Sequence, residues 1–227
     1  MRISQKGFNF GQDGRGNRLV YHMVGCNLFC PWCANSEGLF TQGKEISCEE
    51  IVQESENCKA MFFSGGGITF TGGEPTCQFE ELKKALTGLK NAGIHTCIET
   101  NATNPELPSL FPLIDQFIMD YKHVDQEKLN KIGANQHNIE KNLKAAIQFY
   151  EKIWVRVPLI QDFNAEDLEH FKVYFEQFDS QKIILEILPY HEYGKSKWQE
   201  LGREYPEKNG KVKEEVLRKW KNWTQKN

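Results

Sequence analysis

The chain has 227 residues, 39% of them hydrophobic and 26% charged, with a formal net charge of −3, an isoelectric point near 6.1 and a mean hydropathy of −0.59. That is enough for one domain with a full core and too little for two of ordinary size, and the mildly acidic balance excludes the global basic field on which non-specific nucleic-acid binding depends. The longest apolar runs, such as 182–188, fall far short of the roughly 18 residues a membrane helix needs, and the positive N-terminus leads into no apolar stretch of the secretory kind. A single domain over 1–227 is expected, cytoplasmic, with no membrane contact and no nucleic-acid partner.

In chain order, short β-rich runs alternate with amphipathic ones, with no repeat or linker between them. Strands are predicted over 18–24, 67–71, 93–99, 116–120, 152–158 and 182–188. Apolar residues at helical spacing predict helices over 47–58, 78–91, 138–150 and 165–178; 104–114 is a weaker helix, interrupted by Pro105, Pro108 and Pro112. The closing segment 195–227 has ten Lys or Arg against five Asp or Glu. It reads as the solvated face of a last helix, with Val212, Val216, Leu217, Trp220 and Trp223 turned inward. Successive β-then-α units argue for an α/β fold with a parallel sheet, which right-handed crossovers wind into a partial (β/α)6 TIM-like barrel. Functional groups in such a fold gather at the C-terminal ends of the strands. The notable motifs fall at those ends: 26–33, 72–75, 99–101, 120–122 and 189–191, with Arg156 inside the fifth strand.

Seven cysteines stand at 26, 30, 33, 48, 58, 77 and 97. A cytosolic chain of this length has little use for disulfides. Cys26, Cys30 and Cys33 form a C-x3-C-x2-C loop, and thiolates select zinc or iron–sulfur clusters. Structural zinc needs a fourth protein ligand. No second cysteine pair follows, Cys48 opens a helix-like segment, and His22 would have to turn out of its strand toward the loop. A 4Fe-4S cluster on three cysteines leaves one iron without a protein ligand, as a cluster that binds a substrate or cofactor requires. Cys48, Cys58, Cys77 and Cys97 read as small core or surface residues.

Gly72 and Gly73 lack a Cβ and so permit close approach to the backbone, either by a ligand or within a tight βα turn. The glycines at 65–67 precede no Gly-Lys-Ser/Thr and are not a phosphate loop. Asp120 and Lys122 share one face of a strand while Tyr121 takes the other, which suits a rim salt bridge or a polar ligand. Arg156 lies in an apolar strand and must pair with an anion: Asp120 or Glu99 as structure, or a ligand carboxylate as function.

The cysteine loop, with Trp32 before its last cysteine, resembles the signature of the radical S-adenosylmethionine superfamily. Within it the chain resembles the glycyl-radical-enzyme activating enzymes, because the segments 13–18, 67–75, 99–101, 120–122, 156–160 with Asn164, and 188–194 occur in that group's order. The resemblance implies a 4Fe-4S cluster on Cys26, Cys30 and Cys33. It also implies S-adenosylmethionine contacts at Trp32, Ala34, Gly72, Gly73, Glu74, Glu99, Asp120, Tyr121, Lys122, Arg156 and His191, with no side chain needed as a general base. Gly72 and Gly73 would receive the methionine ammonium, with Glu74 orienting it. The implied activity is reductive cleavage of S-adenosylmethionine to a 5′-deoxyadenosyl radical, which takes a hydrogen from a glycine of a partner glycyl radical enzyme. A flavodoxin or ferredoxin would donate the electron, and the chain would act as a monomer. Two departures stand out: Ala34-Asn-Ser-Glu37 where relatives often have His-Asn-Pro-Glu, and Ala102 where they often have Gly. The interval 34–71 has only two cysteines, so the ferredoxin-like insert of some relatives is not expected. Rival readings are a small-molecule radical enzyme, an anaerobic ribonucleotide reductase activase, and a non-catalytic zinc or iron–sulfur module.

Overall fold

The computed structural model describes residues 1–225, and its backbone divides into two compact units. The first comprises 1–27, 35–100 and 106–118. It opens with β1 (Arg2–Phe10), antiparallel to β2 (Asn17–Met23). The glycine-rich turn between them carries Gly11, Gly14 and Gly16 at positive φ, a conformation that glycine adopts without penalty. β1 was not predicted. Most of its residues are exposed on both faces, so no apolar alternation marks it. Helix α1 (Ser36–Phe40) and the two-residue β3 (Lys44–Glu45) follow, also unpredicted and too short to show a period.

Helix α2 (Cys48–Asn57) starts where a capping box stops the chain from fraying: Glu50 N–H donates to Ser47 Oγ at 3.0 Å and Ser47 N–H donates to Glu50 Oε2 at 2.7 Å. β4 (Gly67–Gly72) runs parallel to β2, and β5 (Thr96–Thr100) parallel to β4, giving the order β3-β1-β2-β4-β5. Arg18, fully buried, ties β2 to β4 by donating from Nε to Thr69 Oγ1 at 2.6 Å and from its guanidinium to the Ile68 carbonyl. Between β4 and β5, α3 (Phe79–Asn91) turns Leu82, Ala85, Leu86 and Leu89 into the core. The predicted strand 93–99 begins only at Thr96 because Gly93, at φ +65°, ends α3 in the left-handed conformation, with Ile94 N–H donating back to Leu89 O. The predicted weak helix over 104–114 is a 3-10 turn, Leu107–Leu113, with proline inside it. β6 (Gln116–Asp120) begins in this unit and ends in the second.

The second unit comprises 28–34, 101–105 and 119–225. After the short α4 (Gln126–Asn130), α5 (Gln136–Phe149) is capped by Asn135 and buries Ile139, Leu143 and Ala146. β7 (Ile153–Leu159) and β8 (Ile183–Pro189) are parallel, in register from Ile153 opposite Ile183 to Leu159 opposite Pro189. Helix α6 (Leu168–Phe175) is shorter than the predicted 165–178, since the N–H groups of Phe163, Asn164 and Ala165 all turn back onto the Ile160 carbonyl. The chain closes with α7 (Gly194–Glu200) and α8 (Glu214–Thr224). Trp220 and Trp223 of α8 are buried as expected, Val216 and Leu217 are half-buried, and Val212 precedes the helix. No helix of the described residues is long and apolar enough to cross a membrane.

Candidate functional site

In the first unit the Gly-Gly-Glu-Pro segment leaves β4 and turns into a 3-10 helix, Pro75–Gln78. Gly72 has φ +106°, and a Cβ there would sit 2.5 Å from Met23 N. A Cβ on Gly73 would collide with the Gly25 carbonyl oxygen. Glu74 N–H donates to that same carbonyl at 2.7 Å and Gly73 N–H to Met23 O at 2.9 Å. Both glycines are therefore required by backbone packed on backbone, a demand that the choice between ligand approach and tight turn did not include. Glu74 is 1% exposed. Its Oε1 accepts from Thr76 N–H at 3.1 Å, Thr76 Oγ at 2.6 Å and Thr100 Oγ at 2.7 Å. Glu99, one residue before Thr100, accepts from Thr71 Oγ at 2.7 Å. The threonines Thr71, Thr76 and Thr100 were not singled out from the sequence; their place beside acidic residues at strand ends was the available signal.

In the second unit Lys122 Nζ lies 3.2 Å from Asp120 Oδ2, with the Lys122 side chain 12% and the Asp120 side chain 39% exposed. The shared face expected of this pair is observed. Tyr121 points the other way: its fully buried ring stacks on Tyr174 at 5.5 Å and meets Phe171 and Phe175 edge-on. Burial raises its phenol pKa far above the ordinary value. Its side chain thus belongs to the core, and its backbone N–H donates to Arg156 O at 2.7 Å.

Arg156 donates from Nε to Glu186 Oε2 at 2.8 Å, its register partner on β8. Glu186 was not among the anions considered for it. The Lys122 carbonyl accepts from Asn164 Nδ2 at 3.0 Å; the same amide donates to Pro158 O at 2.9 Å, and Asn164 Oδ1 accepts from Ile160 N–H at 2.9 Å. Asn164 was noted only as part of a motif, yet its buried amide knots the ends of β6 and β7. His123, also missed, is 1% exposed and faces Asp167 at 3.0 Å through Nε2 while its Nδ1 accepts from Asp125 N–H at 2.9 Å. His191 is exposed and stacks on Tyr193 with ring centroids 4.3 Å apart.

The part of the cysteine loop in this unit, 28–34, is held by Phe29 N–H donating to Ile132 O at 3.0 Å and by a Cys33 N–H to Cys30 O turn at 3.1 Å. Trp32 packs on Phe163 with ring centroids 4.6 Å apart, and Ala34 is half-buried. Burial of Cys30 pushes its thiol up to about 11, against the opposing pull of the Lys122 charge. None of the seven cysteines forms a disulfide. No group of three or more His, Cys, Asp or Glu side chains among the described residues is gathered closely enough for a metal ion. The fit to an iron–sulfur cluster therefore stands on donor chemistry: three thiols outside any disulfide within eight residues, each able to lose its proton to iron.

A family model described as the Radical SAM superfamily matches residues 20–173. The class is therefore that of radical S-adenosylmethionine enzymes, to which this chain belongs. It is 31% identical over 201 residues to pyruvate formate-lyase 1-activating enzyme of Escherichia coli (strain K12), covering 85% of this chain and 82% of that one. It is 34% identical over 212 residues to pyruvate formate-lyase-activating enzyme of Staphylococcus epidermidis, covering 87% and 84%. Within the superfamily its family is that of the pyruvate formate-lyase-activating enzymes.

Two solved structures share the fold. Streptococcus suis SuiB bound to precursor peptide SuiA matches with a TM-score of 0.64 at 17% identity over 91% of this chain, which spans 44% of the SuiB chain. A domain of pyruvate-formate lyase-activating enzyme from Bacteroides vulgatus matches with a TM-score of 0.56 at 22% identity, covering 71% and 94%. The chain is an enzyme, a radical S-adenosylmethionine activase that works with a 4Fe-4S cluster and S-adenosylmethionine, and it has the α/β fold expected from its sequence.

Proposed function

We propose that this chain activates a glycyl radical enzyme by removing a hydrogen atom from a glycine Cα of that partner. Bound to the protein, the cluster and S-adenosylmethionine supply an electron and a cleavable sulfur–C5′ bond, from which methionine and the hydrogen-abstracting 5′-deoxyadenosyl group arise. Cys26, Cys30 and Cys33 hold the cluster. Gly72 and Gly73 present backbone to the methionine end of S-adenosylmethionine, and Lys122 and Arg156 offer cations for its carboxylate. Glu99 and Asp120 supply the acceptors, Trp32 and Ala34 flank the cluster, and His191 borders the rim. Glu74 holds its turn against Thr100 and so fixes the backbone that the two glycines present, and Tyr121 anchors in the core the backbone between Asp120 and Lys122. The chain works as one domain over 1–227, a cytoplasmic monomer reduced by a flavodoxin or ferredoxin.

The observation that carries this reading is the match to activating enzymes over more than four-fifths of both chains. Anaerobic mixing with reductant, S-adenosylmethionine and a candidate glycyl radical enzyme tests it. The expected result is a glycyl doublet by electron paramagnetic resonance (EPR) with formation of 5′-deoxyadenosine. Formation of 5′-deoxyadenosine without a doublet on any candidate partner would favour a small-molecule substrate instead.

A further inference from the structure

We infer that α7 braces the cysteine loop, with Trp198 acting as a positioning residue for Cys33 and Gly194 admitting the helix to the loop. The inference rests on the reading of Cys26, Cys30 and Cys33 as cluster ligands. Trp198 is 2% exposed, and its Nε1–H donates to the Cys33 carbonyl at 3.0 Å across 165 positions of sequence. A buried indole N–H needs an acceptor, and this one takes the carbonyl of a loop cysteine. The ring is itself fixed, edge-on to Phe29 at 6.2 Å and to Tyr205 at 6.2 Å. Gly194 opens α7, and a Cβ there would come within 2.6 Å of Cys33 O and 2.7 Å of Ala34 Cα. Only a residue without a side chain lets the helix lie this close.

Residues 28–34 form no helix or strand, so no regular ladder fixes their peptide planes. Holding the Cys33 carbonyl fixes the plane between Cys33 and Ala34, and with it the direction in which the Cys33 thiol leaves the backbone. Partners that orient metal ligands from behind are worth roughly 10–100-fold in metal retention.

A matched pair of variants separates this role from ordinary packing. Trp220, fully buried in α8, donates its indole N–H to Ala165 O at 2.8 Å. Trp198→Phe and Trp220→Phe therefore each delete one buried indole donor and keep most of a ring. Both should lower the unfolding temperature of the cluster-free chain by similar amounts. After anaerobic reconstitution, only Trp198→Phe should lose iron to a chelator faster, by about tenfold or more, and change the EPR spectrum of the reduced cluster. Gly194→Ala, which pushes α7 off the loop without touching the indole, should do the same. Equal iron loss from the two Trp variants, or wild-type retention in Gly194→Ala, would overturn the brace alone. A wild-type chain that takes up no iron and sulfide, or a Cys33→Ser chain with an unchanged spectrum, would overturn the ligand reading and the brace together.

Discussion

The strand ends of the two units carry similar polar motifs put to different use. In the first, the acidic side chain of the Gly-Gly-Glu-Pro turn is sealed from water and takes donors from Thr76 and Thr100, and both glycines lie against β2 and Gly25. In the second, Asp120 pairs with Lys122 while more than a third of its own side chain stays exposed, and Arg156 pairs with a Glu186 side chain that is 42% exposed. A sealed carboxylate is architecture; an ion pair whose acid stays partly in water can exchange its partner for a ligand more readily, because solvent already screens one side of it. The difference teaches that a motif at a strand end can act in two ways, by shaping backbone or by presenting charge.

The largest effect that would break this comparison belongs to the first unit. Gly73→Ala places a methyl group against the Gly25 carbonyl, backbone that no side-chain rotation relieves. A loss of about 3 kcal/mol or more is expected, read by denaturant unfolding of the cluster-free chain. Retention of wild-type stability would return Gly73 to the role of a ligand cradle. Glu74→Ala comes next, since it strands the donors of Thr76 and Thr100 in the core. About 2–3 kcal/mol should be lost, again without any cofactor present.

Lys122→Ala should behave in the opposite manner. Stability should change by less than about 1 kcal/mol, while S-adenosylmethionine affinity of the reconstituted enzyme, measured by calorimetry, should fall roughly 10–100-fold for the loss of one charge-assisted bond. A variant that unfolds easily yet binds as the wild type does would make this pair structural and erase the contrast between the units.

His123 sharpens the comparison, because it is a polar group of the second unit that is sealed like Glu74. Burial lowers its pKa, against the pull of Asp167, whose carboxylate also faces Lys128 at 3.8 Å and His170 at 3.6 Å. With Asp125 N–H donating to Nδ1, the neutral ring carries its proton on Nε2, toward Asp167. Above about pH 6.5 the imidazole is neutral in both folded and unfolded chains. As pH falls below that value the unfolded chain protonates first, so stability declines until pH passes the lower, folded value. His123→Asn should flatten this limb of the stability–pH curve between about pH 7 and 5; an unchanged slope would place the titration elsewhere.

How much of this was legible follows from what periodicity records. Strands 116–120, 152–158 and 182–188 were readable to within a residue because each is a short apolar-rich run bounded by polar or turn-forming residues. β1 was not, since its mate supplies backbone hydrogen bonds while its side chains face water. The cysteine loop announced itself by spacing. The threonines around Glu74 and Glu99, the Asn164 knot and the Trp198 contact did not, because each depends on a bond between residues 26 or more apart in sequence, which no local pattern encodes. Arg156 shows the boundary: its need for an anion was legible, but the anion's identity depended on the β7–β8 register.

Ala102 carries the smallest effect and the finest test. It is fully buried at φ +56°, left-handed backbone that costs a residue with a Cβ about 1–2 kcal/mol. Asn142, also fully buried, holds the turn open by donating to Ala102 O at 2.8 Å and Asn104 O at 2.7 Å. Ala102→Gly should relieve the strain but add freedom to the unfolded chain worth about 0.4–1 kcal/mol. The net gain should lie between about 0 and 1.6 kcal/mol by denaturant unfolding. A variant less stable than the wild type would mean that the buried methyl group of Ala102 contributes more than its left-handed backbone costs.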